Sequence, residues 1–214
     1  MKEEKKVSLV VVKRLPRYYR YLGELLSKQV YRVSSRELSD KMGVTASQIR
    51  QDLNCFGGFG QQGYGYNVEM LYNEIAAILG LDRGYKTIIV GAGNLGHALA
   101  NHTNFERRGF RLIGIFDSDP DIAGREMGGL IVQSSDQMAE FVKREKPDIA
   151  ILTVPKKAVN QVADELVKLG IKGLWNFSYA ELQLPDGVAV ENVHLSDSLM
   201  TLSYKIANAG GELK

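Results

Sequence analysis

Residues 91–96 read Gly91-Ala92-Gly93-Asn94-Leu95-Gly96, a G-x-G-x-x-G run preceded by the apolar stretch Thr87-Ile88-Ile89-Val90 and followed by helix-compatible His97-Ala98-Leu99-Ala100. The chemistry such a run can do is to hold a pyrophosphate. Gly91 permits a tight turn, Gly93 lets the main chain approach the phosphates and Gly96 lets helix and strand pack closely. The helix start adds unpaired N–H groups and positive partial charge. Asp117 closes the next apolar run, residues 112–116. That is about 20 residues further on, where a carboxylate can accept a ribose 2′-hydroxyl of a dinucleotide. Alone the glycine pattern is weak; between two strands, with the acid at that spacing, it outweighs the alternative of a structural turn without a ligand. Residues 91–96, Phe116 and Asp117 are the expected cofactor contacts.

These residues have to be held by a parallel sheet, and the chain after them alternates accordingly. Strands are expected near residues 130–132, over 149–154 and 171–175, and at 188–193. Helices are expected over 135–145 and 156–169, the latter ended by Gly170. The pattern predicts a Rossmann-type doubly wound, mostly parallel sheet domain over residues 84–195. Ligands lie at the carboxyl ends of such strands, so Thr153, Val154, Pro155, Asn176 and Phe177 are further cofactor candidates, with structural and functional readings equally open. A final helix from Ser196 to about Asn208 carries Leu199, Leu202 and Ile206 on one face. It can lie on its own sheet or cross to a partner subunit.

Upstream, residues 1–83 form a separate domain. Residues 17–27 place Tyr18, Leu22, Leu25 and Leu26 on one helical face, with Pro16 at its start. Ser34-Ser35-Arg36-Glu37 is a capping-box sequence, Leu38 and Met42 supply an apolar stripe, and Gly43 can end that helix in the left-handed conformation. Thr45-Ala46-Ser47-Gln48 repeats the capping arrangement two residues later. Two short helices joined by a glycine turn are the sequence form of a helix-turn-helix. On the second helix, residues 45–55, Ile49, Leu53 and Phe56 share a core arc, while Ser47, Arg50, Gln51 and Asn54 face the other way. Arg suits guanine, and Gln or Asn suits adenine, in a major groove. Ser34, Ser35, Thr45, Ser47, Gln48, Arg50, Gln51 and Asn54 are therefore the DNA-contact candidates. Five glycines (57, 58, 60, 63, 65) interleaved with Phe59, Tyr64 and Tyr66 read as a hairpin wing rather than a linker, with Gln61 and Gln62 as donors at its tip. Asn67 caps a further helix whose Val68, Leu71, Ile75 and Leu79 face a core and which Gly80 ends. The domain boundary falls at residues 81–86.

Composition narrows the function class. The 214 residues are 44% hydrophobic and 24% charged, as expected of a soluble protein with one large and one small domain. No apolar run approaches the ~18 residues of a membrane span, and residues 9–12 are too short for a signal-peptide core, so a cytoplasmic location is expected. A single cysteine, Cys55, and three scattered histidines leave no expected metal site; Cys55, beside Phe56, reads as a buried or half-buried structural thiol. Residues 1–83 hold 13 Lys and Arg against 9 Asp and Glu, while residues 84–214 hold 14 against 16. The basic excess sits with the helix-turn-helix and hints at a polyanion partner. For catalysis the candidates are His97, His102, His194, Lys156 and Tyr179, and they form no recognisable constellation. An enzyme is therefore not expected. The alternatives are a small NAD-dependent oxidoreductase with an N-terminal oligomerisation domain and a CoA- or nucleotide-binding interaction module.

The residues resemble a known family, the redox-sensing transcriptional repressors called Rex. The stretch SSRELSDKMGVTASQIRQDLNCFGG, residues 34–58, resembles its winged-helix signature and is followed by Gly63-Tyr64-Gly65-Tyr66. Residues 90–96, Leu152-Thr153-Val154-Pro155, GIKGLWNF at 170–177 and the terminal helix resemble its NAD(H) domain. The resemblance implies NADH and NAD as ligands and a homodimer whose terminal helices, residues 196–214, exchange between subunits. It also implies binding to double-stranded palindromic operator DNA when free or NAD-bound, and release by NADH. This chain has Gln51 where members often have Lys. It has His102 where some have Tyr near the nicotinamide, and His194 where an Asp pairs with an N-terminal arginine, here matched by Arg20.

Overall fold

A computed structural model describes residues 8–55, 60–61, 64–102 and 105–208. The chain divides into two compact units, Met1–Arg83 and Gly84–Lys214. The first unit contains α1 (Leu9–Val12), α2 (Leu15–Ser27), β1 (Arg32–Val33), α3 (Ser35–Met42), α4 (Ala46–Asn54), β2 (Gly60–Gln61), β3 (Gly65–Asn67) and α5 (Val68–Ile78). Local chemistry starts and stops these helices. At α3 the Glu37 N–H donates to Ser34 Oγ at 3.1 Å and the Ser34 N–H donates to the Glu37 carboxylate at 2.7 Å. Hydrogen bonding to the carboxyl from the Ser34 backbone N–H first, and from the Ser34 side chain, holds Glu37 below its ordinary range. Gly43, at φ +65°, ends the helix. Thr45 Oγ1 caps α4 by accepting the Gln48 N–H at 3.2 Å, an arrangement worth about 1 kcal/mol. The Asn67 side chain caps α5 through the Met70 N–H at 2.9 Å.

The apolar faces of these helices meet in one core of Leu15, Tyr18, Leu22, Leu38, Met42, Ile49, Leu53, Val68, Leu71 and Ile75, with Leu25, Leu26 and Leu79 packed partly against it. Strand β3 lies between β1 and β2, antiparallel to both, with Val33 and Gly60 each opposite Tyr66. Gly65 has φ +69°, and a Cβ there would stand 2.7 Å from the Val33 carbonyl oxygen. The described part of the expected hairpin is thus a strand pair. Phe56, Gly57, Gly58, Phe59, Gln62 and Gly63 lie outside the described residues. Strand β1 carries no periodic signal because two residues are too few to show one. Helix α2 starts at Leu15, two residues before the expected start, since Pro16 is accommodated inside its first turn.

Among the described residues of this unit one charged residue is fully buried. Asp52 of α4 has no solvent exposure. It accepts Arg14 Nε at 2.7 Å and Arg14 Nη2 at 2.6 Å, the Tyr18 hydroxyl at 2.8 Å and Gln48 Nε2 at 2.9 Å.

The second unit contains β4 (Tyr85–Val90), α6 (Asn94–Ala100), β5 (Phe110–Asp117), β6 (Glu126–Met127), β7 (Leu130–Ser134), α7 (Met138–Glu145), β8 (Ile149–Leu152), α8 (Lys156–Lys168), β9 (Gly173–Asn176), β10 (Ala189–Asn192) and α9 (Leu195–Ala207). The sheet order is β10-β9-β8-β4-β5-β7-β6. All neighbours are parallel except the short edge strand β6, which the sequence reading did not include. From β4 the chain winds outward to β5 and β7, then returns to β8 on the other side of β4. The order therefore reverses between β4 and β8, and the crevice at their carboxyl ends is the topological switch point. Ile88, Val90, Phe116 and Leu152 face the α7 and α8 side, where Phe141, Val142, Val159, Ala163 and Leu166 cover them. Ile89, Ile115 and Ile151 face the opposite side, towards Leu99 and Ala100 of α6. Helix α9 buries none of its residues, with Leu199, Leu202 and Ile206 between 50% and 68% exposed. It does not lie on its own sheet.

Burial pushes the Asp52 carboxyl up, but the hydrogen bonds from Arg14, Tyr18 and Gln48 and the Arg14 charge outweigh it, so the net shift is downward. A lowered native value stabilises the fold above the unfolded carboxyl range and is lost as pH falls through the native value. Asp52→Asn is expected to cost about 3 kcal/mol at pH 7, the low end for a broken buried pair, because Arg14 keeps 23% of its side chain exposed. Melting curves between pH 7 and pH 3 check this: the gap between the two proteins should close on acidification.

Candidate nucleotide site and recognition surface

At the end of β4, Gly91 turns the chain at φ +103°. A Cβ on it would stand 2.8 Å from the carbonyl carbon and oxygen of Thr153. A Cβ on Gly96 would overlap the Gly91 carbonyl oxygen. Both glycines are demanded by packing. Gly93 is not: its Cβ position is open, with nothing within 4 Å, although its backbone is extended. It leaves the main chain accessible where α6 begins, and it offers no capping side chain to the first-turn N–H groups. Those groups and the positive helix end suit an anion.

Neighbouring strands hold this turn. The Gly91 N–H donates to the Phe116 carbonyl at 2.8 Å, and Thr153 Oγ1 donates to the Gly91 carbonyl at 2.6 Å. Asp117 Oδ2 accepts the Ala92 N–H at 2.5 Å and Oδ1 accepts the Asp119 N–H at 2.9 Å. The expected acid is therefore beside the glycine turn. Each of its oxygens retains a second lone-pair site, so the residues present fit a dinucleotide with a free ribose hydroxyl. Asn94 is exposed and Leu95 half-buried in the first turn of α6.

The other expected contacts divide. Thr153 and Val154 are half-buried at the switch point and Pro155 is exposed at the start of α8. Phe177 is half-buried, its ring 4.7 Å from that of Trp175. Two side chains are turned away from any ligand. Phe116 is fully buried against Phe141, with ring centroids 5.2 Å apart, and meets the turn only through its carbonyl. Asn176 is fully buried. Its amide donates to the Ala180 carbonyl and to Asn192 Oδ1, and its oxygen accepts both the Ser178 N–H and hydroxyl. Its side chain is spent on the chain after β9.

A cavity of about 660 Å³ lies on the sheet face of Ile89 and Ile151, lined also by Leu99, His102, Phe105 and Trp175. None of the expected cofactor contacts lines it. The alternation of Ile149, Ile151, Gly173 and Trp175 was the available signal, but it identifies a sheet face and not whether that face is covered. His102 packs edge-on against Phe105 at 4.6 Å, and His194 is tilted against Tyr179 at 5.3 Å.

In the first unit, Ser47, Arg50, Gln51 and Asn54 are exposed on α4. Arg50 Nη1 donates to Ser35 Oγ at 3.1 Å, which brings the cation to the start of α3. Thr45 and Ser47 share a hydroxyl hydrogen bond of 2.9 Å. Ser34 Oγ is committed to its helix cap. Gln48 departs from the expected pattern: only its backbone completes the cap, and its amide turns inward to Asp52 because that carboxylate needs a fourth donor. Gln61 is paired through β2, while Gln62 lies outside the described residues. Cys55 is half-buried and donates its thiol hydrogen to the Gln51 carbonyl.

Known proteins match both units in one chain. A model described as putative DNA-binding protein N-terminus matches residues 6–54, and one described as CoA binding domain matches residues 82–180. The redox-sensing transcriptional repressor Rex of Thermoanaerobacter pseudethanolicus is 59% identical over 96% of this chain and 92% of its own length. The Rex protein of Clostridium beijerinckii is 53% identical over 95% and 97%. This chain belongs to the Rex family. Solved structures of RSP, a Rex-family repressor, match nearly the whole length of the chain. RSP in complex with β-NADH is 55% identical with a TM-score of 0.89, covering 95% of this chain and 96% of RSP. RSP in complex with β-NAD⁺ and operator DNA is 56% identical with a TM-score of 0.88, covering 97% and 99%. The fold is that of Rex: a winged helix-turn-helix followed by a Rossmann-type sheet.

Gly96→Ala should force the turn apart, since the added methyl meets backbone and not a movable side chain. Isothermal calorimetry is expected to show NADH affinity lowered at least about tenfold, with a destabilisation of 1–3 kcal/mol typical of overpacking. Unchanged binding would remove the turn from the site.

Proposed function

We propose that this protein is a repressor that binds double-stranded operator DNA as a homodimer and leaves it when NADH replaces NAD at the glycine turn. The observation that carries this reading is the pairing, in one chain, of an exposed cationic and amide face on α4 with a tight, accessible glycine turn beside Asp117. The solved relative RSP has been captured with β-NADH and with β-NAD⁺ and operator DNA. Arg50, Gln51 and Asn54 read bases, while Ser35, Thr45 and Ser47 contact the backbone. Residues 91–96, with Asp117 and Thr153, hold the dinucleotide, and the Asp117 carboxylate favours NAD(H) over forms bearing a 2′-phosphate. An oxidoreductase leaves the α4 face without a use. The place of action is the cytoplasm, where both operator and nucleotide pool are met; among the described residues no helix is long and apolar enough to cross a membrane.

Two recognition helices in a dimer reach successive major grooves only when roughly 34–36 Å apart. A ligand that binds a differently spaced dimer more tightly must weaken DNA binding by that difference. A neutral reduced nicotinamide enters apolar surroundings that resist the cationic oxidised ring, and this makes the response a ratio.

A gel-shift titration on a random palindromic pool tests the reading. A selected duplex should be bound without nucleotide and with NAD⁺, and released by NADH at the concentration that saturates the protein in calorimetry. Binding that ignores NADH would refute it. The exposed face of α9 is the proposed subunit contact. Leu199→Glu with Leu202→Glu should shift sedimentation equilibrium from dimer to monomer and lower operator affinity, since each half-site alone supplies only part of the binding free energy.

A further inference from the structure

Helix α4 carries Arg50, Gln51 and Asn54 outward and Asp52 inward. The Asp52 carboxylate has about four lone-pair sites, and four donors fill them: two from Arg14, one from Tyr18 and one from Gln48. Arg14 is the N-cap of α2 and Tyr18 lies in its first turns. The bond to Arg14 is two-pronged, so it sets the plane of the carboxylate as well as its distance. Arg17, one turn along, donates Nη2 to the Met42 carbonyl at the last residue of α3. Helix α2 therefore grips both members of the helix-turn-helix through polar contacts of fixed direction.

The apolar contacts of Ile49 and Leu53 hold α4 against the core but do not fix its rotation, since hydrophobic burial is non-directional. A one-residue slip of an α-helix turns its side chains by about 100° and shifts them about 1.5 Å. Either would carry Arg50 and Gln51 off a base edge. A buried ion pair is a poor way to gain stability over an apolar pair of the same volume, and orientation is what it adds. We propose that Arg14 and Asp52 are positioning residues for base reading, so that sequence selectivity rests on an ion pair that touches no DNA. The inference rests on the DNA-binding function proposed above.

The test uses full-length Arg14→Lys, which keeps the charge and loses the fork, and Tyr18→Phe, which removes one donor without changing packing volume. Each is titrated against the duplex that the wild-type protein selects from a random palindromic pool and against a shuffled duplex of equal length. For Arg14→Lys the ratio of the two Kd values should fall about tenfold or more, the effect of losing one bidentate base contact. Its Kd for the shuffled duplex should stay within about twofold, because the phosphate-neutralising charge is unchanged. Tyr18→Phe should move the ratio in the same direction by less. A purely structural role predicts equal losses on both duplexes, and that result, or unchanged ratios in both variants, overturns the inference. Wild-type protein that selects no duplex overturns the DNA-binding function and this inference together. Wild-type selection with unimpaired selection by both variants overturns the inference alone.

Discussion

At the carboxyl end of β4 the main chain runs closer to its neighbours than a side chain permits. Gly91 abuts Thr153, Gly96 abuts Gly91, and the Thr153 hydroxyl closes the contact with a hydrogen bond to the Gly91 carbonyl. The rest of the nucleotide unit follows from this approach. It lets α6 start directly over the sheet, presents the open position at Gly93 to whatever enters, and puts the Ala92 N–H within reach of Asp117 on the adjacent strand. The same topology that reverses the strand order between β4 and β8 opens the crevice there. In the proposed site, phosphate recognition is thus a property of the backbone path, and the side chains of the motif contribute mainly by being absent.

The winged unit solves a different problem. Its helices are short, eight residues in α3 and nine in α4, and isolated helices of such length are marginal. Caps at Ser34, Thr45 and Asn67 satisfy their first N–H groups, Gly43 turns between them, and apolar residues bury against α2 and α5. What remains undetermined by these devices is the angle at which α4 presents its outer face. A buried carboxylate with every lone pair occupied supplies that direction. Tyr18, whose phenol is pushed above its ordinary range by burial and by the Asp52 hydrogen bond, stays protonated and acts as a donor throughout the physiological range.

Helix α9 differs from the two described helices of equal length, α2 and α8. Its apolar residues recur at helical spacing, as in α2 or α8, yet among the described residues none of them is buried. An apolar stripe of this kind left in water is unfavourable by the hydrophobic effect alone, which is why a subunit contact belongs in the functional reading.

Sequence by itself determined whatever depends on partners three to five residues away. The capping box at Ser34 and Glu37, the left-handed Gly43, the cap at Asn67, the strand–turn–helix at residues 87–100 and the apolar face of α9 were all legible, because helical and extended periods repeat over such distances. Asp117 was legible from its spacing, but its bond to the Ala92 N–H was not. Asp52 drew no notice in the sequence, and Gln48 read as a DNA-contact candidate, because nothing near them announces that Arg14, 38 residues upstream of Asp52, arrives at the same point. Asn176 kept two readings, and Phe116 was expected at the cofactor but is buried against Phe141, for the same reason: whether a strand residue meets ligand or core depends on which elements cover it. Thr153 meets Gly91 across 62 residues. Long-range convergence of this kind is decided by packing, where loop closure and burial set which distant groups meet, and only the tertiary structure records the outcome.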